Sequence, residues 1–121
     1  MLMNDFYSIS DLVAGENNVT CTANFNPEHQ IFNGHFPGQP VVPGVCMMQM
    51  VKELLQQQLG KELLLRSTGQ VKFLQLITPE VAPQIAINWS AQNEGYQVTA
   101  LFKHERDLFK LTGAYEVKVR K

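Results

Sequence analysis

One histidine lies in a stretch of the chain where the backbone is tightly constrained. His35 belongs to the segment FNGHFPGQPVVPGVCMMQMV, residues 32–51, which contains three prolines spaced three residues apart and three glycines. Proline fixes φ near about −65° and glycine permits angles closed to other residues, so this loop is suited to holding one path. An imidazole titrates near neutrality and can act as a general base. The segment therefore predicts an active-site loop that leads into a helix.

The apolar run after this loop predicts a helix from about Gly44 to Leu59. Gly60 is well placed to end the helix in a left-handed conformation. At the helical period, apolar side chains cover more than half of the circumference, so we expect the helix to be enclosed by something larger than one neighbouring helix. The polar side chains fall on a narrow stripe, which consists of Gln49, Lys52, Glu53 and Gln56.

Alternating apolar and polar residues predict strands elsewhere in the chain, at 19–25, 71–76, 85–90, 96–103 and 111–119. A loop is expected at Lys61 to Ser67, and residues 6–13 are ambiguous between a strand and a short helix. Short turn signals between the later strands predict an antiparallel meander. The fold class is therefore α+β, with a curved antiparallel sheet wrapped around one long helix. Because exposed sheet edges are often covered by a second copy, we expect a homodimer.

Length and composition restrict the class of protein. A chain of 121 residues with a net charge of −1 fits one soluble domain, residues 1–121, and neither a nucleic-acid nor a membrane protein. The first residues lack the apolar core of a secretory signal. Cys21 and Cys46 are too few and too far apart for a disulfide framework or a zinc site, so we expect both to be reduced and buried in a cytoplasmic protein.

The motif HFPGQPVVPGV, from His35 to Val45, resembles the signature of the hotdog-fold 3-hydroxyacyl-(acyl carrier protein) dehydratases of the FabZ and FabA type. That resemblance implies a dimer with the active site at the interface, formed by the loop histidine of one subunit and an acidic helix residue of the other. It implies dehydration of a 3-hydroxyacyl thioester on a phosphopantetheine arm to the trans-2-enoyl thioester, without a metal or organic cofactor. The implied partner is acyl carrier protein.

This chemistry assigns roles to the loop and the helix start. His35 is the expected base for the α-carbon proton. The backbone amides of Gly44 and Val45, at the positive end of the helix dipole, are expected to stabilise the charge on the thioester oxygen. Phe36 and Pro43 complete the expected substrate-binding set.

The sequence departs from the resembled family on the helix. These dehydratases have a glutamate four residues after the valine and a glutamine one turn later, whereas this chain has Gln49 and Glu53. An amide cannot deliver a proton, so Gln49 cannot be the acid. One interpretation makes Glu53 the acid while Gln49 orients the substrate hydroxyl. A second makes the chain a catalytically weak acyl or carrier-protein binder, or the lesser half of a heterodimer.

Two further alternatives remain open from the sequence. A solvated position for Glu53, beside Lys52 and Gln56, would give it no role in the site. A thioesterase is also compatible with a hotdog fold, since a carboxylate there can activate water and the fold alone does not decide the function.

Overall fold

The computed structural model describes residues 1–33 and 38–119. These residues form a six-stranded antiparallel sheet, a short 3-10 helix at Gln30–Asn33 and one long helix. The long helix, α1, spans Gly44–Leu59. The strands are β1 Tyr7–Ala14, β2 Asn18–Phe25, β3 Leu63–Phe73, β4 Gln84–Gln92, β5 Gly95–His104 and β6 Arg106–Val117.

Helix α1 has the bounds that the sequence predicts. Pro43 precedes its first turn in an extended conformation, and Gly60 ends it at φ 66°, where its N–H donates to the carbonyl oxygen of Gln56 at 2.8 Å. Glycine adopts this left-handed conformation without the steric cost paid by other residues. Four α1 side chains have no measurable exposure, namely Met50, Val51, Leu54 and Leu55.

The sheet has the strand order β1-β2-β4-β5-β6-β3. One face of it packs on α1, because alternate residues of the strands belong to the same buried cluster as the helix. In β2 this inward set is Val19, Cys21, Ala23 and Phe25, as the alternation predicts. The expected α+β architecture, with an antiparallel sheet around one long helix, is confirmed.

One prediction about strand positions needs correction, and one ambiguity is resolved. The loop expected at Lys61 to Ser67 is wrong from Leu63 onwards, because Leu63, Leu64 and Leu65 pair with β6 as the start of β3. A run of three leucines carries no alternation, so the pairing partner decides its conformation. The ambiguous amino-terminal segment forms β1, which pairs with β2 and contains a bulge between Ser10 and Val13.

Both cysteines are free and buried, as expected. Burial raises the pKa of the Cys21 thiol to about 11, so it is a neutral core side chain near pH 7. Across residues 1–33 and 38–119, no helix has the length and apolar character needed to cross a membrane. The same residues contain no cluster of histidine, cysteine and acidic side chains with the geometry of a metal site.

Replacing Leu54 with alanine tests the position of α1 in the core. Leu54 has no exposed surface, so Leu54→Ala is expected to lower the free energy of unfolding by about 2–5 kcal/mol. The matched control is Leu12→Ala on β1, where the side chain is 40% exposed and the expected loss is within about 0.5 kcal/mol. Urea unfolding measures both variants, and equal losses would contradict this placement.

Candidate active site at the start of the central helix

The residues predicted to form the site fall into two groups. His35 and Phe36, the expected base and one expected substrate contact, lie outside the described residues. Pro43, Gly44 and Val45 form the start of α1, and Gln49 and Glu53 follow on the next turns. The contacts below therefore concern the helix half of the site, and the role of the loop histidine stays a prediction.

The first turn of α1 has the geometry expected of an anion-stabilising helix end. The carbonyl oxygen of Pro43 accepts from the N–H groups of Cys46 and Met47, at 3.0 and 3.3 Å. The N–H groups of Gly44 and Val45 come before the first residue that can bond back within the helix, so α1 itself offers them no acceptor. The Val45 side chain is 74% exposed, which leaves this end open. Their proposed role at the thioester oxygen remains a prediction.

Gly44 has a packing partner that the motif does not reveal. A Cβ atom at this position would lie 2.6 Å from Cε1 of Phe73, so only glycine allows the phenyl ring to lie against the helix start. The ring also packs on Phe109, with centroids 5.2 Å apart, and Phe73 remains 55% exposed. Phe73 therefore forms an apolar wall beside the first amides of α1. The absence of a side chain at Gly44 serves this contact directly.

Glu53 is a buried carboxylate, only 2% exposed, and the expectation of a solvated stripe position is wrong for it. Its Oε1 accepts from the backbone N–H of Met3 at 2.8 Å and from the Tyr7 hydroxyl at 3.1 Å. Its Oε2 accepts from the backbone N–H of Leu2 at 2.8 Å and from Nε2 of Gln49 at 2.9 Å. The carboxylate thus joins the amino-terminal segment to α1 and to Gln49.

These hydrogen bonds determine the ionisation of Glu53. Burial by itself raises the pKa of a carboxyl group, but the donors from Leu2, Gln49, Met3 and Tyr7 outweigh it and hold the pKa of Glu53 below its ordinary value. The pKa of Tyr7 is raised in turn, by burial and then by the charge of Glu53, so its hydroxyl keeps its proton and donates. An ionised carboxylate has no proton to give. The acid role predicted for Glu53 stays untested, and these surroundings favour an acceptor instead.

Three groups that contact Glu53 were not anticipated from the sequence, namely the Leu2 and Met3 amides and the Tyr7 hydroxyl. The two amides are backbone groups, which every residue except proline has, so the residue types do not indicate them. A signal for the burial of Glu53 does exist, because it follows the buried Cys46 and Met50 at helical spacings of seven and three residues.

A family model described as ApeI-like, ApeI dehydratase, matches residues 12–110. The chain belongs to the ApeI-like dehydratase family. The matched range contains every site residue predicted above, from His35 to Glu53. The resemblance to dehydratases drawn from the HFPG motif is therefore confirmed.

The relatives of this ApeI-like chain include curated dehydratases. The 3-hydroxyacyl-(acyl-carrier-protein) dehydratase FabZ of Levilactobacillus brevis is 32% identical over 78 residues, which make up 59% of this chain and 52% of that protein. The chain spans about half the length of the curated relatives that it matches first.

Solved structures establish the fold of this ApeI-like protein. The dehydratase heterocomplex ApeI:P from Xenorhabdus doucetiae superposes with a TM-score of 0.77 at 20% identity, over 91% of this chain and 97% of that one. A hypothetical thioesterase protein with coenzyme A from Streptococcus pneumoniae TIGR4 gives 0.63 at 13% identity, over 98% and 94%. Both similarities show a shared fold, and the predicted hotdog fold is confirmed.

Acid is expected to destabilise this ApeI-like protein partly through Glu53. Because the pKa of Glu53 is lower in the folded protein than its ordinary value of 4.5, its ionisation stabilises the fold above that pH. The contribution is lost as the pH falls through the lower folded value. Glu53→Gln is therefore expected to reduce stability at neutral pH by about 1–3 kcal/mol and to flatten the decline below about pH 5.

Urea unfolding across a pH series measures both effects. Glu28→Gln makes the same chemical change at an exposed position and is the control. A parent protein and a Glu53→Gln variant with parallel pH profiles would show that the carboxylate is not preferentially ionised in the fold.

Proposed function

We propose that this chain dehydrates a 3-hydroxyacyl thioester, carried on acyl carrier protein, to the trans-2-enoyl thioester in cytoplasmic fatty-acid or related acyl-chain biosynthesis. The observation that carries the proposal is the dehydratase family match over residues 12–110, which includes both the HFPG loop and all of α1. The FabZ relative supports the same reaction class.

In the proposed reaction, the loop histidine and the first turn of α1 act in a defined order. His35 takes the α-proton, and the developing negative charge on the thioester oxygen is stabilised by the N–H groups of Gly44 and Val45. The bond from the β-carbon to the hydroxyl oxygen then breaks, and that oxygen needs a proton to leave as water. Phe36 and Pro43 are proposed to hold the acyl thioester beside these groups.

We propose that His35 is also the source of that last proton. After taking the α-proton, its imidazolium holds one proton for the leaving hydroxyl, so the reaction balances without another acid. Glu53 is the acid that the sequence suggests, but it would first have to be protonated. Four hydrogen-bond donors stabilise its ionised form and oppose that protonation. Gln49 remains the proposed contact to the substrate hydroxyl, because an amide can bind it without being acidic.

We further propose that the protein pairs through the β3 edge as a homodimer, with the active site at the interface. Strand β3 is one edge of the sheet, whereas the opposite edge, β1, has a bulge with Asp11 at φ 53°. Bulges at an edge hinder pairing with another chain. Large exposed apolar side chains occur on β3, in the segment after it and at the start of α1, namely Leu64, Leu65, Phe73, Leu74, Leu76 and Val45.

Two lysines on neighbouring strands β3 and β6 suit an acidic carrier protein. Lys72 of β3 lies directly opposite Lys110 of β6, and both side chains are exposed. Like charges at such a pair repel each other, and although Asp107 lies 3.4 Å from the Lys110 ammonium group, an anionic partner can relieve the charge of Lys72. We propose that this pair contributes to docking of acyl carrier protein.

A heterodimer is the second candidate, in which this chain supplies part of a dehydratase site and a related chain supplies the acid. The ionised state favoured for Glu53 and the amide at Gln49 support it, as does the similarity to a chain of the ApeI:P heterocomplex. Thioester hydrolysis is less favoured, because the carboxylate that would activate water is buried and already accepts four hydrogen bonds.

Hydration of a trans-2-enoyl thioester by the purified protein, the reverse reaction, tests the main proposal. His35→Ala is expected to lower the rate by about a hundredfold to ten-thousandfold, the usual contribution of a general base. His104→Ala changes an exposed histidine on β5 and is the control. Release of free thiol instead of hydration would point to hydrolysis. Activity that appears only after a related chain is added would support the heterodimer.

The oligomeric state tests the β3 edge separately. Leu64→Asp on β3 is expected to shift a dimer towards monomer, because burying an unpaired carboxylate in an apolar interface costs several kcal/mol. Leu12→Asp on β1 is the matched control, since the two leucines are 41% and 40% exposed on opposite edge strands. Sedimentation velocity distinguishes the species. A monomeric parent, or dissociation by Leu12→Asp alone, would contradict this interface.

A further inference from the structure

We propose that Glu53 is a positioning residue whose ionised carboxylate orients the Gln49 amide, so that Oε1 of Gln49 accepts a hydrogen bond from the 3-hydroxyl of the substrate. The identity of the substrate rests on the proposed function. The orientation itself rests on contacts among described residues. In this role Glu53 transfers no proton. It fixes which end of the Gln49 amide donates a hydrogen bond and which end accepts one.

The polarity follows from what a carboxylate can do. An ionised carboxylate only accepts hydrogen bonds, so the atom of Gln49 that lies 2.9 Å from Oε2 of Glu53 must be the NH₂ nitrogen. The amide group is planar, and fixing its nitrogen against Glu53 fixes the direction of its carbonyl oxygen as well. A neutral residue at position 53 would allow both orientations, since a second amide can donate or accept.

The amino-terminal segment keeps Glu53 in place. The N–H groups of Leu2 and Met3 that bind the carboxylate belong to a tight turn, in which Phe6 N–H donates to the Leu2 carbonyl at 2.8 Å and Asn4 N–H to the Tyr7 carbonyl at 2.6 Å. These donors are therefore held by the backbone before any ligand arrives. Glu53 would lose all of them if it turned towards a substrate.

Gln49 is well positioned to meet a ligand. It is half-buried and lies one helical turn after Val45, whose side chain is 74% exposed beside the proposed thioester-oxygen donors. If Oε1 accepts the hydroxyl hydrogen, the lone pairs of the hydroxyl oxygen stay free to receive the proton that makes it leave as water. An NH₂ group in the same place would instead occupy one of those lone pairs. The orientation set by Glu53 is thus the one that suits dehydration.

Ligand binding tests this orientation without depending on turnover. The probes are the pantetheine amides of 3-hydroxyoctanoic and octanoic acid, which differ only in the hydroxyl and lack the reactive thioester. The parent protein is expected to bind the hydroxy ligand about three- to tenfold more tightly, the usual net effect of one hydrogen bond. Gln49→Met and Glu53→Gln are both expected to abolish this preference, and the double variant to show no further loss.

Tyr7→Phe is the matched control, because it removes a donor from Oε1 of Glu53 and leaves the contact between Oε2 and Gln49. It is expected to lower the melting temperature while keeping the preference for the hydroxy ligand. The side-chain amide protons of Gln49 provide a second readout by NMR. One of them should be protected from exchange in the parent and in Tyr7→Phe, even if Glu53→Gln proves too unstable to study.

The outcomes separate this proposal from the proposed function. Equal affinity for the two amides, or no binding of either by the parent, overturns the role of Gln49. Loss of the preference in Tyr7→Phe, or an unprotected Gln49 amide in the parent, shows that Glu53 acts on stability alone. A parent that prefers the hydroxy ligand but hydrates no enoyl thioester would refute the reaction and retain the orientation.

Discussion

The hydrogen bonding of one buried carboxylate joins the amino-terminal segment of this chain to its central helix. Glu53 lies on the only long helix of the described residues, and three of its four donors come from the amino-terminal segment, namely Leu2, Met3 and Tyr7. A buried charge without partners would cost several kcal/mol. With α1 packed as observed, the Glu53 carboxylate therefore needs these hydrogen bonds. Through it the amino-terminal turn, the start of β1 and the helix face that carries Gln49 become one unit.

The start of α1 depends on a second constraint, which is steric. Phe73, the last residue of β3, rests against Gly44, so the strand end and the helix start lie side by side. The first amides of the helix therefore open beside an aromatic surface. The apolar ring excludes water from one side of these donors, and electrostatic stabilisation of a developing charge is stronger where water is excluded.

Local signals explain which parts of this structure could be predicted from the sequence. The bounds of α1 follow from Pro43 and Gly60, whose backbone preferences act within one turn. Strand β2 follows from its alternation. By contrast, the start of β3 depends on pairing with β6, and the hydrogen bonding of Glu53 depends on backbone amides about fifty positions away in the chain. The motif around His35 identified the family, but residue types alone could not show whether the helix carboxyl keeps a proton.

The contact between Gln49 and Glu53 also limits how this site can have diverged. A glutamate at position 49 in the present background would place a second carboxyl group against an ionised one, and the repulsion would raise the pKa of one of the pair. A glutamine at position 53 beside the present Gln49 would leave the backbone amides of Leu2 and Met3 with a single acceptor oxygen. Each intermediate carries a penalty that the exchanged pair avoids. The residues at the two positions are thus physically coupled, because the cost of a change at one depends on which residue occupies the other.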